Sequence, residues 1–516
     1  GPGNNGGDGL VVARILAQEV EGISVGAFLL QARGDDDPVF VAARDADVFI
    51  ADVENDKPAG YRVLQNLVGN ADVVIDALFG TAVRLPIKGD AAKVLQTIHK
   101  ALNARRSERP APPFTTPAAL SPDSPDARPL VIAVDCPSGL NCDTGELDKN
   151  ALHADETITM AAAKPGLLTF PGAQAVGRLH IASIGLPDKL PELEQIHLTL
   201  VDASETGSRL PARPMNSHKG TFGKAMIVAG SLNYVGAAYL AGAAAYRVGT
   251  GLVTVGAPQI IIPILAGMLP EATWILLPHD MGVLNEAAVR VLRKELESYR
   301  ALLLGPGLGR EEVTAGFLRE LLRPKEELKR SRAIGFVPFG AEDPGTAEDE
   351  SDLPPLVIDA DGLNLLAQMT DGLALIPPGA ILTPHPGEFA RLAKIEADEV
   401  QANRVRLAQE KATEWNAVIV LKGAFTVIAA PDGRTAIEPF ATSALASAGT
   451  GDVLAGAITG LLAQGLDPFD AALAAAWLHG MAGTQAEELV GTGAGVIASD
   501  VLDMLPQAYA IADGAP

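Results

Sequence analysis

The sequence predicts an α/β protein with two large domains, each built on a mostly parallel sheet, although the length of 516 residues also allows three domains of about 150 residues. The chain is 48% hydrophobic and 20% charged, so it can bury sizeable cores. In the first half, the runs 72–81 and 130–139 are short, β-branched and followed by Gly/Pro turns, as buried parallel strands are. From residue 225 onward, strand-and-turn segments alternate with helical patterns, which is typical of a second, doubly wound sheet.

The charge balance argues against two classes of partner. Lys and Arg number 40 against 63 Asp and Glu, for a net charge of -23, so no overall field attracts nucleic acid or anionic lipid. No apolar run is long enough to span a membrane. A bound phosphate group would therefore be held by local backbone and helix ends.

Two features bear on the compartment and the extent of the chain. Cys136 and Cys142 are too few for a disulfide framework and indicate a reducing compartment, so we expect the cytoplasm. The chain begins at Gly1 without a methionine, and we expect it to be a fragment.

The stretch 447–452 reads SAGTGD and leads directly into an apolar run. Gly449, Thr450 and Gly451 stand just before a helical pattern, where unpaired N–H groups and the helix dipole can hold an anion. Asp452 would repel that anion, so its presence needs a reason, and one reason is that it serves as a general base for a hydroxyl that attacks a phosphoryl group. The alternative interpretation is that Asp452 only caps the helix.

A second candidate site opens the chain. Residues 1–9 read GPGNNGGDG and precede a helical pattern that starts at Leu10, so a phosphate could approach the glycine-rich backbone closely. Asn4, Asn5 and Asp8 add oxygen ligands, which favours a hard cation or a polar substrate over a purely structural loop.

Two aspartates follow predicted strands of the first half. Asp76 and Asp135 would meet the glycine-rich turn at the carboxyl edge of a parallel sheet, where ligands bind in open α/β folds. Each could instead cap the helix after its strand.

These motifs resemble a known family. GPGNNGGDGL, VIDALFGT and AVDCPSGLNCDTG, followed by HADETIT and KPG, are similar to the N-terminal epimerase domain of the bifunctional NAD(P)H-hydrate repair enzymes. The resemblance covers most of residues 1–200. It implies a Rossmann-like, three-layer domain over residues 1–202 that interconverts the R and S epimers of hydrated NAD(P)H with a bound potassium ion.

The resemblance also implies roles for individual residues. Asn5, Asp76 and Ser138 would bind potassium, and Asp135 is expected to assist proton movement at the epimerising carbon. The residues implied to bind the hydrate are Asn4, Asn5, Gly6, Gly7, Asp8, Gly80, Thr81, Ala82, Val83, Arg84, Leu85, Pro86 and Asp135.

The chain departs from the family pattern at three places. We expect the chain to lack the segment that precedes the glycine turn in the family, which would affect the sheet and the epimerase activity. Ala82 stands where a second glycine is usual, so we expect a differently shaped substrate loop. Residues 101–128 are expected to be a flexible insertion.

The second half begins after a turn-rich stretch without periodicity. We expect residues 203–214 to be a linker to a domain over residues 215–516, and the charged, Pro/Gly-rich residues 324–355 to be an exposed loop. His385 could contact a ligand or be structural, and Lys422 could pair with a phosphate or be solvated.

This half resembles the ribokinase-like, ADP/ATP-dependent NAD(P)H-hydrate dehydratase domain of the same enzymes. SHKGTFGK, GPGLG, DADGLN, TPHPGE, LKGAFT and SAGTGDVLAG stand in the family order. The implied reaction uses ADP or ATP, with magnesium, to phosphorylate the ring hydroxyl of the hydrate and then expels phosphate. Lys422, Gly423, Ala424, Phe425, Thr426 and Gly451 would bind the nucleotide, and Gly307, His385 and Asp452 the hydrate, with Asp452 as the catalytic base.

Two other functions fit parts of the sequence. A ribokinase-like kinase of a vitamin-precursor alcohol would leave the first half unexplained. A nucleotide-binding scaffold would suit a degenerate epimerase half. TPHPGE together with the fused NNGGDG motif favours the repair enzyme. The resemblance further implies a homo-oligomer whose partners are NAD(P)H hydrates and an adenine nucleotide, and its bacterial members tend to use ADP.

Overall fold

The computed structural model describes residues 1–107, 129–187, 190, 196–323 and 353–514. The chain divides into two compact units, Gly1–Leu190 and Pro191–Pro516. Both combine helices with mainly parallel sheets, which confirms the predicted α/β class. No helix within the described ranges is long and apolar enough to cross a membrane.

The first unit contains two parallel sheets. The smaller pairs β1 (Gly26–Leu29) with β2 (Phe49–Asp52). The larger has the order β3 (Val73–Asp76), β4 (Leu130–Val134), β5 (Glu156–Met160), β6 (Arg178–Ala182). Because β3 and β4 are parallel neighbours, their carboxyl ends lie side by side, and Asp76 and Asp135 come to one edge of the sheet.

The helices of this unit include the glycine-rich opening of the chain. They span Asn4–Glu19, Pro38–Asp45, Val53–Asp56, Arg62–Asn70 and Gly89–Ser107. The prediction of a loop before a helix at Leu10 is therefore wrong. Leu10 and Ala13 pack into a core cluster with Leu29, and this burial outweighs the low helix propensity of the glycines.

The predicted flexible insertion 101–128 and the predicted exposed loop 324–355 are only partly described. Residues 101–107 continue the helix Gly89–Ser107, because Ala101 packs into a core cluster, so this part of the predicted insertion is ordered helix. The remainder of the insertion, and residues 324–352 of the predicted exposed loop, lie outside the described residues.

The second unit is built on a ten-stranded sheet of order β10-β9-β8-β13-β14-β15-β16-β17-β18-β7. The strands are β7 (Leu198–Leu200), β8 (Lys224–Val228), β9 (Leu252–Pro258), β10 (Thr273–Leu277), β13 (Ala301–Leu304), β14 (Leu356–Ile358), β15 (Ile381–Leu382), β16 (Val418–Leu421), β17 (Val427–Ala429) and β18 (Thr435–Ile437). The first seven strands in this order, β10-β9-β8-β13-β14-β15-β16, are parallel, so the loops that follow them share one edge. A short hairpin, β11 (His279–Asp280) and β12 (Val283–Leu284), follows β10.

The boundary between the units differs from the predicted one. β7 pairs with β18 in the second sheet, although it falls within the predicted first domain of residues 1–202. Within the predicted linker 203–214, Ala203–Gly207 is a helix whose N-cap is Asp202. Val201 is buried in the core of the second unit, and this long-range packing explains why local turn signals misplaced the boundary.

One buried helix organises the second unit. Thr450–Ala463 packs between Val235–Arg247 and Pro468–Val490, and a Cβ on its Gly456 would come 2.1 Å from the Ala241 carbonyl oxygen. This close packing holds the start of the helix, and with it the SAGTGD turn, at the carboxyl edge of the sheet. Besides Ala203–Gly207, the other α-helices among the described residues of this unit are Ile262–Met268, Ala287–Leu296, Glu312–Leu322, Asp361–Gln368, Pro386–Ala393, Ala397–Ala402, Arg404–Trp415 and Ala498–Asp513.

Candidate active sites

In the first unit, the start of the helix Asn4–Glu19 lies against the loops after β3 and β4. Asn5 Nδ2 donates a hydrogen bond of 2.6 Å to the Val134 carbonyl. A Cβ on Gly80 would come 3.2 Å from the Asn5 Cβ. Asn5 thus connects both loops, and the first N–H groups of its helix have no partner within the helix.

Asp76 and Ser138 form a buried pair between the same two loops. Asp76 Oδ1 accepts a hydrogen bond from Ser138 Oγ at 2.6 Å, and Oδ2 accepts from the Ser138 N–H at 2.7 Å. Burial raises the pKa of Asp76, and the hydrogen bonds from Ser138 oppose that shift. Asn5 Oδ1 is buried and has no hydrogen-bond partner among the described residues. The oxygens predicted to hold a cation are therefore an amide oxygen at the start of the helix and a carboxylate and a hydroxyl on the two loops.

Asp135 is held by a lysine. Its Oδ1 accepts hydrogen bonds from Lys164 Nζ at 2.5 Å, and from Thr159 Oγ1 and the Met160 N–H at 3.2 Å each. Burial raises the pKa of Asp8, and the charge of Asp135 raises it further. Asp8 therefore lies close enough to feel the charge of Asp135, which Lys164 contacts directly.

The loop 80–86 is mostly exposed. Of its residues, Gly80 contacts the site directly through Asn5, and its carbonyl accepts a hydrogen bond of 3.3 Å from the Val83 N–H. Thr81, Ala82, Arg84 and Pro86 are exposed. Their role in binding the hydrate stays a prediction.

In the second unit, three ionisable side chains meet at the carboxyl ends of β14, β15 and β16. Lys422 Nζ lies 2.6 Å from Asp359 Oδ1 and 3.9 Å from Glu388 Oε2. Burial lowers the pKa of Lys422, but the charges of Asp359 and Glu388 outweigh it, so the pKa is raised. The lysine is an ion-paired ammonium whose side chain is 17% exposed, and the interpretation that it is merely solvated is wrong.

Asp452 lies in the first turn of the helix Thr450–Ala463. The N-cap of this helix is Gly449, at φ 94°, and no side chain caps it, so the interpretation of Asp452 as the cap is not supported. Burial, and then the charge of Asp359, raise the pKa of Asp452 to about 7, although Lys422 opposes the shift. A carboxyl group with this pKa exchanges a proton readily at neutral pH.

The space next to Asp452 is lined by charged atoms. A Cβ on Gly451 would lie 3.4 Å from Lys422 Nζ and 3.9 Å from Asp359 Oδ2, so the missing side chain leaves room between the turn and the ion pair. Asp359 Oδ2 is buried and has no hydrogen-bond partner among the described residues. This oxygen could serve a hard cation that accompanies a phosphate group.

His385 combines a structural role with an exposed position. It is the N-cap of the helix Pro386–Ala393, where its Nδ1 accepts a hydrogen bond of 3.0 Å from the Gly387 N–H. Burial, and then the charge of Lys422, lower its pKa, so the ring is neutral at pH 7. Capping uses Nδ1, while Nε2 lies 3.5 Å from Glu388 Oε1 on a side chain that is 52% exposed and so open to a ligand.

Gly307 lies in the loop after β13, at φ 64°. A Cβ on it would come 2.7 Å from the Tyr234 Cβ. The same loop is tied to the loop after β8 by a hydrogen bond of 2.8 Å from the Gly230 N–H to the Pro306 carbonyl. Gly307 therefore stands on the β8 side of the ion pair, away from Lys422.

The predicted nucleotide segment 422–426 follows β16 and is shaped by Arg404. This arginine donates hydrogen bonds to the carbonyls of Leu421 at 2.8 Å and Lys422 at 3.3 Å, and burial lowers its pKa to about 10. Gly423 has φ 140°, and a Cβ there would come 3.1 Å from Arg404 Nη1. The segment thus turns sharply at Gly423, where the backbone approaches the guanidinium.

Comparison with known proteins agrees with both halves. A family model described as YjeF-related protein N-terminus matches residues 1–166, and one described as NAD(P)H-hydrate dehydratase matches residues 225–328 and 346–507. The chain is 36% identical over 526 residues to the bifunctional NAD(P)H-hydrate repair enzyme Nnr of Moorella thermoacetica, covering 98% of this chain and 86% of that protein. This chain belongs to the family of bifunctional NAD(P)H-hydrate repair enzymes. The Escherichia coli member is 33% identical over 511 residues, covering 98% of this chain and 83% of the relative.

A solved structure resembles the second unit. It is the ADP/ATP-dependent NAD(P)H-hydrate dehydratase from Bacillus subtilis co-crystallised with ATP/Mg2+, at 32% identity and a TM-score of 0.48, covering 60% of this chain and 98% of that one.

Membership of the family confirms the predicted repair function, with an isomerase and a lyase activity in one chain. The single-kinase hypothesis, which left the first half unexplained, is not supported.

Several residues of these sites were missed by sequence reasoning. Asp359 and Glu388 lie in the quoted motifs DADGLN and TPHPGE, and Lys164 in KPG, but none was given a role. The signal for Asp359 was present, because it follows a strand as Asp76 does. Arg404 gave no local signal, since only the fold brings it to Gly423.

Proposed function

We propose that the second unit dehydrates hydrated NAD(P)H between Asp452 and the Asp359–Lys422 ion pair. The observation that supports this most is the pKa of about 7 of the Asp452 carboxyl, which makes it an effective proton acceptor at neutral pH. In the first step, the ring hydroxyl oxygen attacks the terminal phosphorus of ADP or ATP, and Asp452 takes the hydroxyl proton. The bond to the departing AMP or ADP breaks.

The second step eliminates phosphate from the ring. The carbon–oxygen bond to the phosphoryl group breaks, and phosphate leaves with the bonding electrons. A neighbouring ring carbon gives its proton to water, and the electrons of that C–H bond restore the double bond of the dihydronicotinamide. Phosphate leaves far more readily than hydroxide, so the nucleotide supplies the driving force for a dehydration that is otherwise slow.

The nucleotide is assigned to the β16 side of the site. Lys422, Gly423, Ala424, Phe425 and Thr426 would bind ADP or ATP, and the N–H groups at Gly451 would hold the transferred phosphoryl group. The unpartnered Asp359 Oδ2 fits a magnesium site, and magnesium bound with the nucleotide would neutralise phosphate charge. Gly307 and His385 would contact the hydrate on the other side.

We assign epimerisation to the first unit. Asp135 would move the proton at the epimerising carbon, and Lys164 would hold its carboxylate in place. The unpartnered Asn5 Oδ1, together with Asp76 and Ser138, fits a potassium ion that would order the two loops. The hydrate would bind along residues 4–8 and 80–86.

The setting of the enzyme is also part of the proposal. We expect a cytoplasmic homo-oligomer whose partners are NAD(P)H hydrates and adenine nucleotide. The net charge of -23 disfavours nucleic acid and anionic membranes as partners.

The deciding experiment follows absorbance in the reduced-nicotinamide band. The protein receives mixed R and S hydrates, magnesium, potassium and either ADP or ATP. Full recovery of reduced cofactor supports both activities. A plateau once one epimer is consumed would remove the epimerase assignment, whereas accumulation of a stable phosphorylated hydrate would favour a kinase. No recovery with either nucleotide would refute the repair function.

A further inference from the structure

The carboxyl edge of the second sheet carries an exposed apolar surface that none of the roles above uses. Leu232 and Tyr234 lie in the loop after β8 and are 50% and 55% exposed. Met281 is 94% exposed at the tip of the β11–β12 hairpin after β10. We refer to Leu232, Tyr234 and Met281 as the apolar rim.

The rim is built from segments that hold each other. The Leu232 N–H donates a hydrogen bond of 3.0 Å to the Gly282 carbonyl, which ties the β8 loop to the hairpin. A Cβ on Gly282 would come 2.5 Å from the Leu232 Cβ. Met281 and Gly282 have φ values of 50° and 91°, so the tip is a tight turn. The exposed side chains therefore stand on fixed backbone.

The rim is continuous with the proposed dehydratase site. Tyr234 lies against Gly307, whose added Cβ would approach the Tyr234 Cβ to 2.7 Å. In the same loop, a Cβ on Gly305 would lie 1.9 Å from the Asp359 carbonyl oxygen, and Asp359 holds Lys422. A contiguous path thus leads from the rim to the ion pair beside Asp452.

Sheet order separates the rim from the nucleotide segment. β8 and β14 are separated by one strand, so Tyr234 and Asp359 follow strands about 10 Å apart. β8 and β16 are separated by three strands, or about 19 Å. The separation of about 10 Å matches the length of a nucleobase together with its sugar. The separation of about 19 Å places the rim away from a nucleotide bound at Lys422.

We propose that the apolar rim binds the hydrated nicotinamide ring and its ribose, and that Tyr234 is the residue that determines affinity for this part of the substrate. This inference rests on the proposed dehydratase function. The hydrated ring is uncharged and partly saturated, so an aromatic face and two aliphatic side chains suit it, whereas the phosphates of either substrate do not. Packing against the rim would also shield the phosphorylated intermediate from water.

The test compares Tyr234→Ala with Tyr234→Phe in steady-state kinetics of the full chain. The S hydrate and the nucleotide are varied separately. Loss of one aromatic contact raises the KM for the hydrate about tenfold in Tyr234→Ala. The KM for the nucleotide stays within about twofold, and Tyr234→Phe, which keeps the ring, stays close to the wild type.

Ile511→Ala is the matched control. Ile511 is exposed near the end of the helix Ala498–Asp513, whereas Ala498 at its start lies 3.0 Å from a Cβ built on Gly449. At a rise of 1.5 Å per residue, Ile511 lies about 20 Å along the helix from Ala498 and so from the SAGTGD turn. This variant keeps both KM values. Thermal midpoints of all variants show whether each is folded.

Three results would overturn the inference. The first is an unchanged hydrate KM in a folded Tyr234→Ala. The second is an equal rise in both KM values, which would indicate a general distortion. The third is an unchanged KM with a shifted gel-filtration volume, which would assign the rim to contact between copies. A different result would refute only the proposed function. In that case the wild type binds NADPH more tightly than Tyr234→Ala does, yet the wild type never turns over the hydrate.

Discussion

The Nζ atom of Lys422 lies 2.6 Å from Oδ1 of Asp359, across a strand that separates the ends of β14 and β16. The lysine side chain is 17% exposed and the aspartate 1%. Removing one partner of such a pair leaves a charge without compensation in a poorly solvated place, which costs more than the pair itself contributes. The ion pair therefore holds together the ends of β14 and β16 that line the proposed phosphoryl-transfer site.

A double-mutant cycle tests this relationship. We expect Asp359→Asn and Lys422→Met each to lower the free energy of unfolding by about 3 kcal/mol, and the double variant to lose about 2 kcal/mol less than the sum. Chemical denaturation of the four proteins measures this. Arg406 and Glu410, a pair with 52% and 51% exposed side chains, supply the control cycle, where coupling stays below about 0.5 kcal/mol. Equal coupling in both cycles would contradict a special role for the buried pair.

The pKa of Asp452 predicts the pH dependence of dehydration. Because the base must be deprotonated and its pKa is raised to about 7, kcat/KM for the S hydrate falls about tenfold for each pH unit below 7 and levels off above it. Initial rates between pH 5.5 and pH 8.5, with saturating nucleotide, give the profile. A profile that is flat through pH 7 would exclude Asp452 as the base.

Replacing Asp452 separates the two activities. Asp452→Asn removes the proton acceptor without changing the volume, so we expect dehydration to fall about 10³-fold while the R and S hydrates still interconvert. Chromatographic separation of the epimers measures the second activity in the same sample. Dehydration within tenfold of the wild type would show that another group takes the proton.

The sequence predicted those strands and helices that depend on nearby residues. The strands that end at Asp76 and Val134, and the helix that starts at Thr450, follow from short apolar runs and turn residues. Long-range packing decided the rest. The run 198–200 completes the edge of the second sheet by pairing with β18, and no nearby residue signals that partner. The contact between Arg404 and the turn at Gly423 likewise exists only in the folded chain.

The contact of Lys164 with Asp135 predicts a positioning role in epimerisation. In Lys164→Met, Asp135 Oδ1 loses its 2.5 Å partner, so we expect the epimerisation rate to fall between about tenfold and 100-fold. Lys164→Arg, which retains a positive charge, recovers part of that loss. The rate of dehydration from pure S hydrate provides the internal control, and a fall in both rates would indicate misfolding instead.

The unpartnered Asn5 Oδ1 predicts a cation dependence confined to the first unit. We expect epimerisation to be faster in potassium than in lithium, because lithium is too small for ligands on two separate loops, and Asn5→Leu to abolish the difference. Dehydration of the S hydrate by the variant serves as the control. Identical epimerisation rates in both salts for the wild type would remove the potassium assignment.

Glu438 predicts a stability that depends on pH. Burial raises its pKa well above 4.5, and both carboxyl oxygens lack hydrogen-bond partners among the described residues. A raised folded-state pKa means that the native state binds the proton more tightly, so the stabilisation is complete below pH 4.5 and is lost as the pH rises towards the folded-state value. Glu438→Gln removes this loss. The advantage of Glu438→Gln in unfolding free energy over the wild type therefore grows between pH 5 and pH 8, by at most about 1.4 kcal/mol per pH unit.

Calorimetric unfolding across this pH range measures the difference in unfolding free energy. The control variant Glu297→Gln, at an exposed position, should show no such growth. A constant difference between Glu438→Gln and the wild type would mean that the buried carboxyl is already compensated.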